Sequence, residues 1–387
     1  MRISSRPRPW ILHLASIVAA VFMFQLPLTG MSAGQGSGQN TPKTGQEIYL
    51  AACVNCHGPD GKGMPQSLVG FDLPLPDFSD CDFAVREPDS DWFAIAHQGG
   101  PVRGFSNLMP AFGKVLREEE IEQVIVYLRT FCTDHSWPRG ELNLPRPLIT
   151  EKAFPEDEAV FNVFFSENMD SIGGQFVYEQ RFGARNQFEF AFPFGWSKVP
   201  VSEDSGAATN WTSNLGDIAL AVKRAFYYSL EHGSIFSASA EVVLPTGEED
   251  NGFGKGTFVF EPFITYGQIL RSDFFLQVHT GFELPFSQDK AKNEIFFRLA
   301  LGRSFISGRW GRMWSPMVEL LAARELVSGE SISWDVVPQM QVTLNKRRHI
   351  RFNFGVRIPV NKTAERDWQV MLYILWDWFD GGFFEGW

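Results

Sequence analysis

Cysteine is scarce in this chain, with four among 387 residues. Neither Cys81 nor Cys132 is followed by a second Cys or His pair at metal-clasping spacing, which excludes a closed zinc site. Basic charge is short as well. With 45 acidic against 34 basic residues and a formal charge of -11, the chain lacks the concentrated basic surface that phosphate binding needs, so no nucleic-acid partner is expected. Ser-His-Asp and Cys-His arrangements and Gly-rich phosphate loops are missing too, and hydrolysis and nucleotide chemistry are unsupported. What the chain has in excess is aromatic: 37 Phe and 12 Trp, most of them after residue 153. Something in the second half wants aromatic surface.

The remaining two cysteines stand in Cys53-Val54-Asn55-Cys56-His57, the C-x-x-C-H attachment sequence of a c-type haem. Two thiols three positions apart lie on one face of a helical turn, where both can form thioethers while the adjacent imidazole of His57 reaches the iron. A thioredoxin-like reading needs a βαβ setting, whereas this motif ends a short helix and runs into Gly58-Pro59-Asp60-Gly61. No second such motif occurs, so one covalent haem is expected. Met109, in Leu108-Met109-Pro110-Ala111-Phe112-Gly113, is the expected sixth ligand, since a thioether opposite an imidazole gives an electron-transfer haem. Met64 lies on a very short tether from His57, and His97 lies on a helix; these are its rivals.

Residues 1–33 read as a signal peptide: Arg2, Arg6 and Arg8, the apolar run Trp10 to Leu28, then Met31-Ser32-Ala33 as the cleavage site. An uncleaved inner-membrane anchor carrying a soluble β domain is the alternative. Residues 34–43 form a flexible leader and 44–135 a small helical domain. Thr44 with Glu47 makes a capping box, Pro65, Pro74 and Pro76 keep the middle irregular, and helices are expected near 90–97 and 117–131. A Pro-rich linker at 136–157, with Pro138, Pro145, Pro147 and Pro155, is expected to be an extended spacer.

Gly45 with Tyr49, Cys53 to Gly58, Met109 to Phe112 and Tyr127-Leu128 resemble the class I c-type cytochromes. The resemblance implies a domain that moves one electron at a time. In an exported protein the pair Cys81 and Cys132 suggests a disulfide stapling that domain.

After Pro155 the period becomes two. Gln187 to Trp196 alternates large aromatics with small or polar residues; Phe274, Leu276, Val278 and Phe282 oppose Gln277, His279, Gly281 and Glu283; Ile350, Phe352, Phe354, Val356 and Ile358 oppose Arg351, Asn353, Gly355 and Arg357. Runs this long, apolar on one face and charged on the other, predict an antiparallel transmembrane β-barrel of about 12 strands over residues 158–387, meeting outer-membrane lipid. The terminal Trp387 is similar to the assembly signal of bacterial outer-membrane proteins. Glu261, His279, Glu283, Arg298, Asp335, Arg351 and Arg357 face the lumen, which is expected to be partly filled by paired charges.

Asn214 to Leu220 with Val243-Leu244-Pro245-Thr246-Gly247 resembles the transporter-type barrels of the phenol-degradation meta-pathway group. The two-part plan is similar to the fused cytochrome-porins of iron-oxidising bacteria. That plan implies a bacterial outer-membrane electron carrier with its cytochrome on the periplasmic side. It would exchange electrons between periplasmic electron-transfer proteins and external metal ions or small redox donors. Ferrous iron oxidation is the one enzyme-like activity it admits. The alternative is a periplasmic carrier merely anchored by a passive β-barrel channel.

Overall fold

In a computed structural model the chain is described at residues 43–71, 74–200, 209–250 and 252–378. The expected signal peptide, nearly all of the leader and the terminal Trp387 lie outside the described residues. The helical part begins at α1 (Gly45–Ala52), where the Thr44 hydroxyl accepts from the Glu47 amide at 3.2 Å and the Glu47 carboxylate accepts from the Thr44 amide at 2.8 Å. α2 (Val54–His57) follows, then α3 (Gln66–Val69), α4 (Cys81–Ala84), α5 (Asp89–Gln98) and α6 (Glu118–Arg129). The prolines do not keep the middle irregular throughout, because Pro65 sits at the N-cap of α3, where the missing N–H costs nothing, and Asp80 caps α4 through the Asp82 amide.

α1 crosses α6 at a glycine. A Cβ on Gly45 would stand 2.0 Å from the Gln123 carbonyl oxygen, so only glycine lets the two backbones meet. Next to this crossing Tyr49 is fully buried against Tyr127 and Phe131, with ring centroids 5.3 and 5.6 Å away. Cys81 and Cys132 are joined as a disulfide, Cα to Cα 5.0 Å, tying the start of α4 to the chain just beyond α6.

Fourteen strands follow: β1 (Glu158–Ser166), β2 (Ser171–Phe182), β3 (Asn186–Pro200), β4 (Thr209–Leu215), β5 (Ala219–Ser229), β6 (Ser234–Val243), β7 (Val259–Ile269), β8 (Phe274–Pro285), β9 (Glu294–Arg303), β10 (Phe305–Ile306), β11 (Met313–Glu325), β12 (Ser333–Thr343), β13 (Ile350–Pro359) and β14 (Gln369–Asp377). β4 and β5 both pair with β3, and β9 and β10 both pair with β11, so the spanning strands number twelve. All pairings are antiparallel. β1 pairs with β14 and closes the barrel, which leaves no open edge to hydrocarbon. The exposed face carries Phe161, Phe188, Leu220, Val222, Ile264, Phe297, Leu301, Phe354 and Ile374, while Glu179, Gln187, Gln277, Glu319, Gln341 and Asn353 are buried on the other.

The linker is not an extended spacer. After a 3-10 turn at Gly140–Leu142, residues 143–157 enter the lumen as a strap and return to the start of β1. An irregular strap has no ladder of its own, so its backbone bonds go to the amides and carboxylates of the wall. Gln277 Nε2 donates to the Pro145 carbonyl at 2.8 Å, and Tyr373 Oη to that of Arg146 at 2.6 Å. The amides of Leu148 and Thr150 donate to the two oxygens of Glu319 at 3.0 and 2.6 Å, and the Glu156 amide to Gln187 at 2.7 Å. Arg146 holds Glu158 at 2.7 Å and Glu179 at 2.9 Å, and Lys152 pairs with Glu156 and Glu158. The lumen is thus partly filled, as expected, by the chain's own preceding segment, which leaves a cavity of about 640 Å³ beside it. Of the expected wall charges, Asp335 pairs with Arg357 at 2.6 Å, Arg351 with Asp377 at 2.7 Å, and Glu283 with Lys255.

Candidate haem site

α1 carries the chain to Cys53, which ends that helix and opens α2, so Cys53, Cys56 and His57 lie together on one helical turn. The His57 amide donates to the Cys53 carbonyl at 3.0 Å and holds the motif in a single turn. Both thiols are free. Burial pushes the Cys53 thiol up to about 11, with the neighbouring Cys56 adding to it. Burial alone pulls the His57 imidazole down to about 4, so it is neutral, as an iron ligand must be. Its Nδ1 is buried with no hydrogen-bond partner. The ring lies 5.3 Å from that of Phe78, which meets Trp92 edge-on at 5.1 Å.

The next residues fold back over the motif. Tyr49 Oη donates to the Gly58 carbonyl at 2.5 Å, while the amides of Gly63 and Met64 donate to the carbonyls of His57 and Cys56 at 2.9 and 2.7 Å. Gly58 takes a φ of +73°, which a side chain would resist. Met64 is thereby tied at its backbone to the motif itself. Met109 stands on a separate loop, anchored to the end of α5: the Gly100 amide donates to its carbonyl at 3.1 Å, and those of Phe112 and Gly113 to Ala96 and His97 at 3.0 and 2.9 Å. His97 is engaged elsewhere, with its Nδ1 hydrogen-bonded to Gln98 Nε2 at 2.6 Å and its ring 5.2 Å from Trp310, on the turn between β10 and β11.

These residues fit a c-type haem. Two unpaired thiols and a neutral imidazole with an orphaned nitrogen share one turn, and a half-buried thioether is offered from a second loop.

The helical domain is clamped to one end of the barrel. Asp91 pairs with Arg103 at 2.7 Å and with Arg348 of the β12–β13 turn at 3.2 Å; Glu87 meets His349 of the same turn at 2.8 Å; Arg86 meets Asp157 at 2.9 Å. Burial and the charge of Glu87 raise the Asp91 carboxyl above its usual value. Burial opposes the charge of Glu87 as well, but the His349 hydrogen bond and nearby Arg351 and Arg103 outweigh it and hold its carboxyl below the ordinary range. Phe93 stacks on Trp310 at 6.1 Å, and Arg309 reaches across to Glu118 at 2.6 Å. No sequence signal pointed to this junction, because its partners lie far apart along the chain, Glu87 and Asp91 more than 200 residues from His349 and Arg348.

Residues 40–128 match the profile of the family Cytochrome C oxidase, cbb3-type, subunit III, and residues 166–312 that of Putative MetA-pathway of phenol degradation. The chain joins a cytochrome-type domain to an outer-membrane-type barrel. The cytochrome-type domain implies haem binding. None of the curated proteins matches the chain. Among solved structures, an outer membrane channel from Pseudomonas putida F1 is similar with a TM-score of 0.40 and 12% identity, over 60% of this chain and 99% of that one. The KdgM porin in complex with disordered oligogalacturonate gives 0.37 and 4%, over 57% and 98%, and the NanC porin 0.38 and 6%, over 57% and 98%.

Proposed function

We propose that this chain is an outer-membrane electron-transfer protein carrying one haem c, bound covalently through Cys53 and Cys56, with His57 and Met109 as axial ligands. The haem supplies one-electron chemistry when bound. The chain's own residues orient it. The His57 amide, donating to the Cys53 carbonyl, holds the turn that carries the imidazole, and the α5-anchored loop holds Met109. Phe78 and Trp92 exclude water beside that ring. The cytochrome faces the periplasm, since both ends of an even-stranded barrel leave on that side, and exchanges electrons there with soluble carriers. Its other partner is an external donor or acceptor delivered to the barrel.

The observation that carries this reading is that two free thiols and the buried imidazole of His57 share one helical turn, in a domain ion-paired to the barrel end. The alternative is a periplasmic carrier merely anchored by a passive barrel, whose bore residues 143–157 narrow. Membrane fractionation with haem staining, followed by whole-cell reduction, tests the proposal. Reduction of the haem in intact cells by membrane-impermeant chelated ferrous iron is the expected result. Reduction by periplasmic donors alone would return the barrel to the role of an anchor.

A further inference from the structure

One turn of the barrel reaches the loop that offers Met109. The turn at residues 307–312, between β10 and β11, is closed by the Ser307 amide donating to the Arg312 carbonyl at 2.9 Å. Its Trp310 stands against the second half of α5, with its ring 5.2 Å from that of His97 and stacked on Phe93 at 6.1 Å. Phe93 in turn stacks on His97 at 5.6 Å, so the three rings form one closed cluster. Arg309 lies over Trp310 at 4.7 Å and pairs with Glu118, the first residue of α6, at 2.6 Å. The turn therefore touches the chain on both sides of the Met109 loop, which runs from the end of α5 to the start of α6.

The His97 ring is the point where this cluster meets the loop. A Cβ on Gly113 would collide with Cε1, Nδ1 and Nε2 of that ring, so the ring lies directly on the loop backbone just past Met109. On the same stretch the Gly113 amide donates to the His97 carbonyl at 2.9 Å, and the Gly100 amide to that of Met109 at 3.1 Å. A second contact is independent of the rings. Arg103, buried on the loop's 3-10 turn (Gly100–Arg103), donates from Nη1 to the Trp310 carbonyl at 3.2 Å. Of these contacts the Arg309–Glu118 pair counts least, since both side chains are half exposed and water screens them. The stacked rings count most, because aromatic pairs add a preferred geometry to the apolar area that they bury.

We propose that Trp310 is a positioning residue for the sixth haem ligand: it backs the His97 ring against Gly113 and so keeps the Met109 loop from opening. The inference rests on the reading of Met109 as an axial ligand. A ligand carried on a loop stays on its metal only while the loop stays shut, so groups that touch the loop and not the metal set how readily it leaves. His97 then has a role of its own, as the wedge between barrel and loop. Trp310 belongs to the barrel, which makes the hold on the thioether a property of the whole chain and not of the helical domain alone.

The test is imidazole titrated into the ferric, detergent-solubilised full chain and read by absorption, beside hydrogen–deuterium exchange of a peptide covering residues 108–116. The resting methionine–histidine spectrum should persist in Trp310→Ala, because the bonds from the Gly100, Phe112 and Gly113 amides remain. Imidazole should bind that variant about tenfold more tightly, and the Phe112 and Gly113 amides should exchange about tenfold faster, the scale on which an outer-shell partner acts on a metal ligand. Trp310→Phe keeps a ring on His97 and should restore both values. Arg86→Gln, whose partners Asp82 and Asp157 lie outside the loop, loosens the clamp and should move neither. Should Trp310→Ala fail to fold, as heat-modifiable gel mobility shows, His97→Ala removes the same contact from the other side and should give the same two shifts. Where both fold, the double variant should go no further than either one. Unchanged imidazole affinity and exchange in Trp310→Ala, additive shifts in the double variant, or equal shifts in Arg86→Gln would overturn the proposal. A native chain without the methionine–histidine spectrum would instead sink the axial assignment itself, which the exchange measurement, needing no haem, tells apart from a failure of the barrel turn to hold the loop.

Discussion

Replacing Arg146 with alanine should loosen the strap and open the barrel. The guanidinium holds Glu158 and Glu179, both fully buried, at 2.7 and 2.9 Å, and the half-buried Glu151 at 3.2 Å. Removing one partner of a buried ion pair costs about 3–5 kcal/mol, because the remaining charges stay desolvated and uncompensated. Here Lys152 already bonds Glu158, which places the expected loss near the lower end of that range. The backbone carbonyl of Arg146 still accepts from Tyr373 and Gln341, so the variant barrel should form. It should, however, lose its heat-modifiable gel form at a lower temperature and show new conductance in planar bilayers. Adding Glu158→Gln and Glu179→Gln to an Arg146→Met background should restore most of the stability, since neutral groups of similar shape carry no such penalty. If Arg146→Ala alters neither the transition nor the conductance, the strap is not held by this charge hub and the reasoning fails.

Met109→Ala should abolish the low-spin methionine–histidine absorption of the haem domain, whereas His97→Ala should leave it; an unchanged spectrum for Met109→Ala sinks the axial assignment. Cys81→Ser with Cys132→Ser should destabilise the helical domain by roughly 2–4 kcal/mol in chemical denaturation, if the bridge works by constraining the unfolded chain. Glu87 has a folded pKa below its ordinary 4.5, so its stabilising contribution is complete above about pH 4.5 and is lost as pH falls through the lower folded value. The stability gap between the native chain and Glu87→Gln should therefore close on acidification, and a gap that widened would contradict the pairing with His349. Gly45→Ala should force α1 off α6 and lower the haem domain's melting temperature, because its methyl would strike the Gln123 carbonyl.

Much of the architecture could be read from local patterns. The capping box at Thr44 and Glu47 forms as its spacing implied, and the strict alternation around Phe274 and His279 placed outer and lumenal faces correctly. Local patterns carry such information because helix caps and strand faces are decided within a few residues. The strap escaped notice for the opposite reason. Prolines at 145, 147 and 155 read the same on an exposed spacer as on a segment wrapped in side chains, and its partners Glu319, Gln339, Gln341 and Asn353 come from strands far downstream. A hint was present in hindsight: uncharged amides at Gln277, Gln339, Gln341 and Asn353 on the inward face are suited to unladdered backbone, not to water or ions. Within the candidate haem site, the spacing of Cys53, Cys56 and His57 implied the single turn that they share, but nothing local implied the engagement of His97 by Trp310.

The clamp formed by Glu87, Asp91 and Trp310 leaves the cytochrome no pivot. A domain on a loose leash could swing to sample partners; this one presents a single fixed aspect, set by the tilt of the barrel in its bilayer. Any carrier that trades electrons with it must come to that aspect, so encounter would be governed by how the carrier diffuses along the membrane face and not by the reach of an arm.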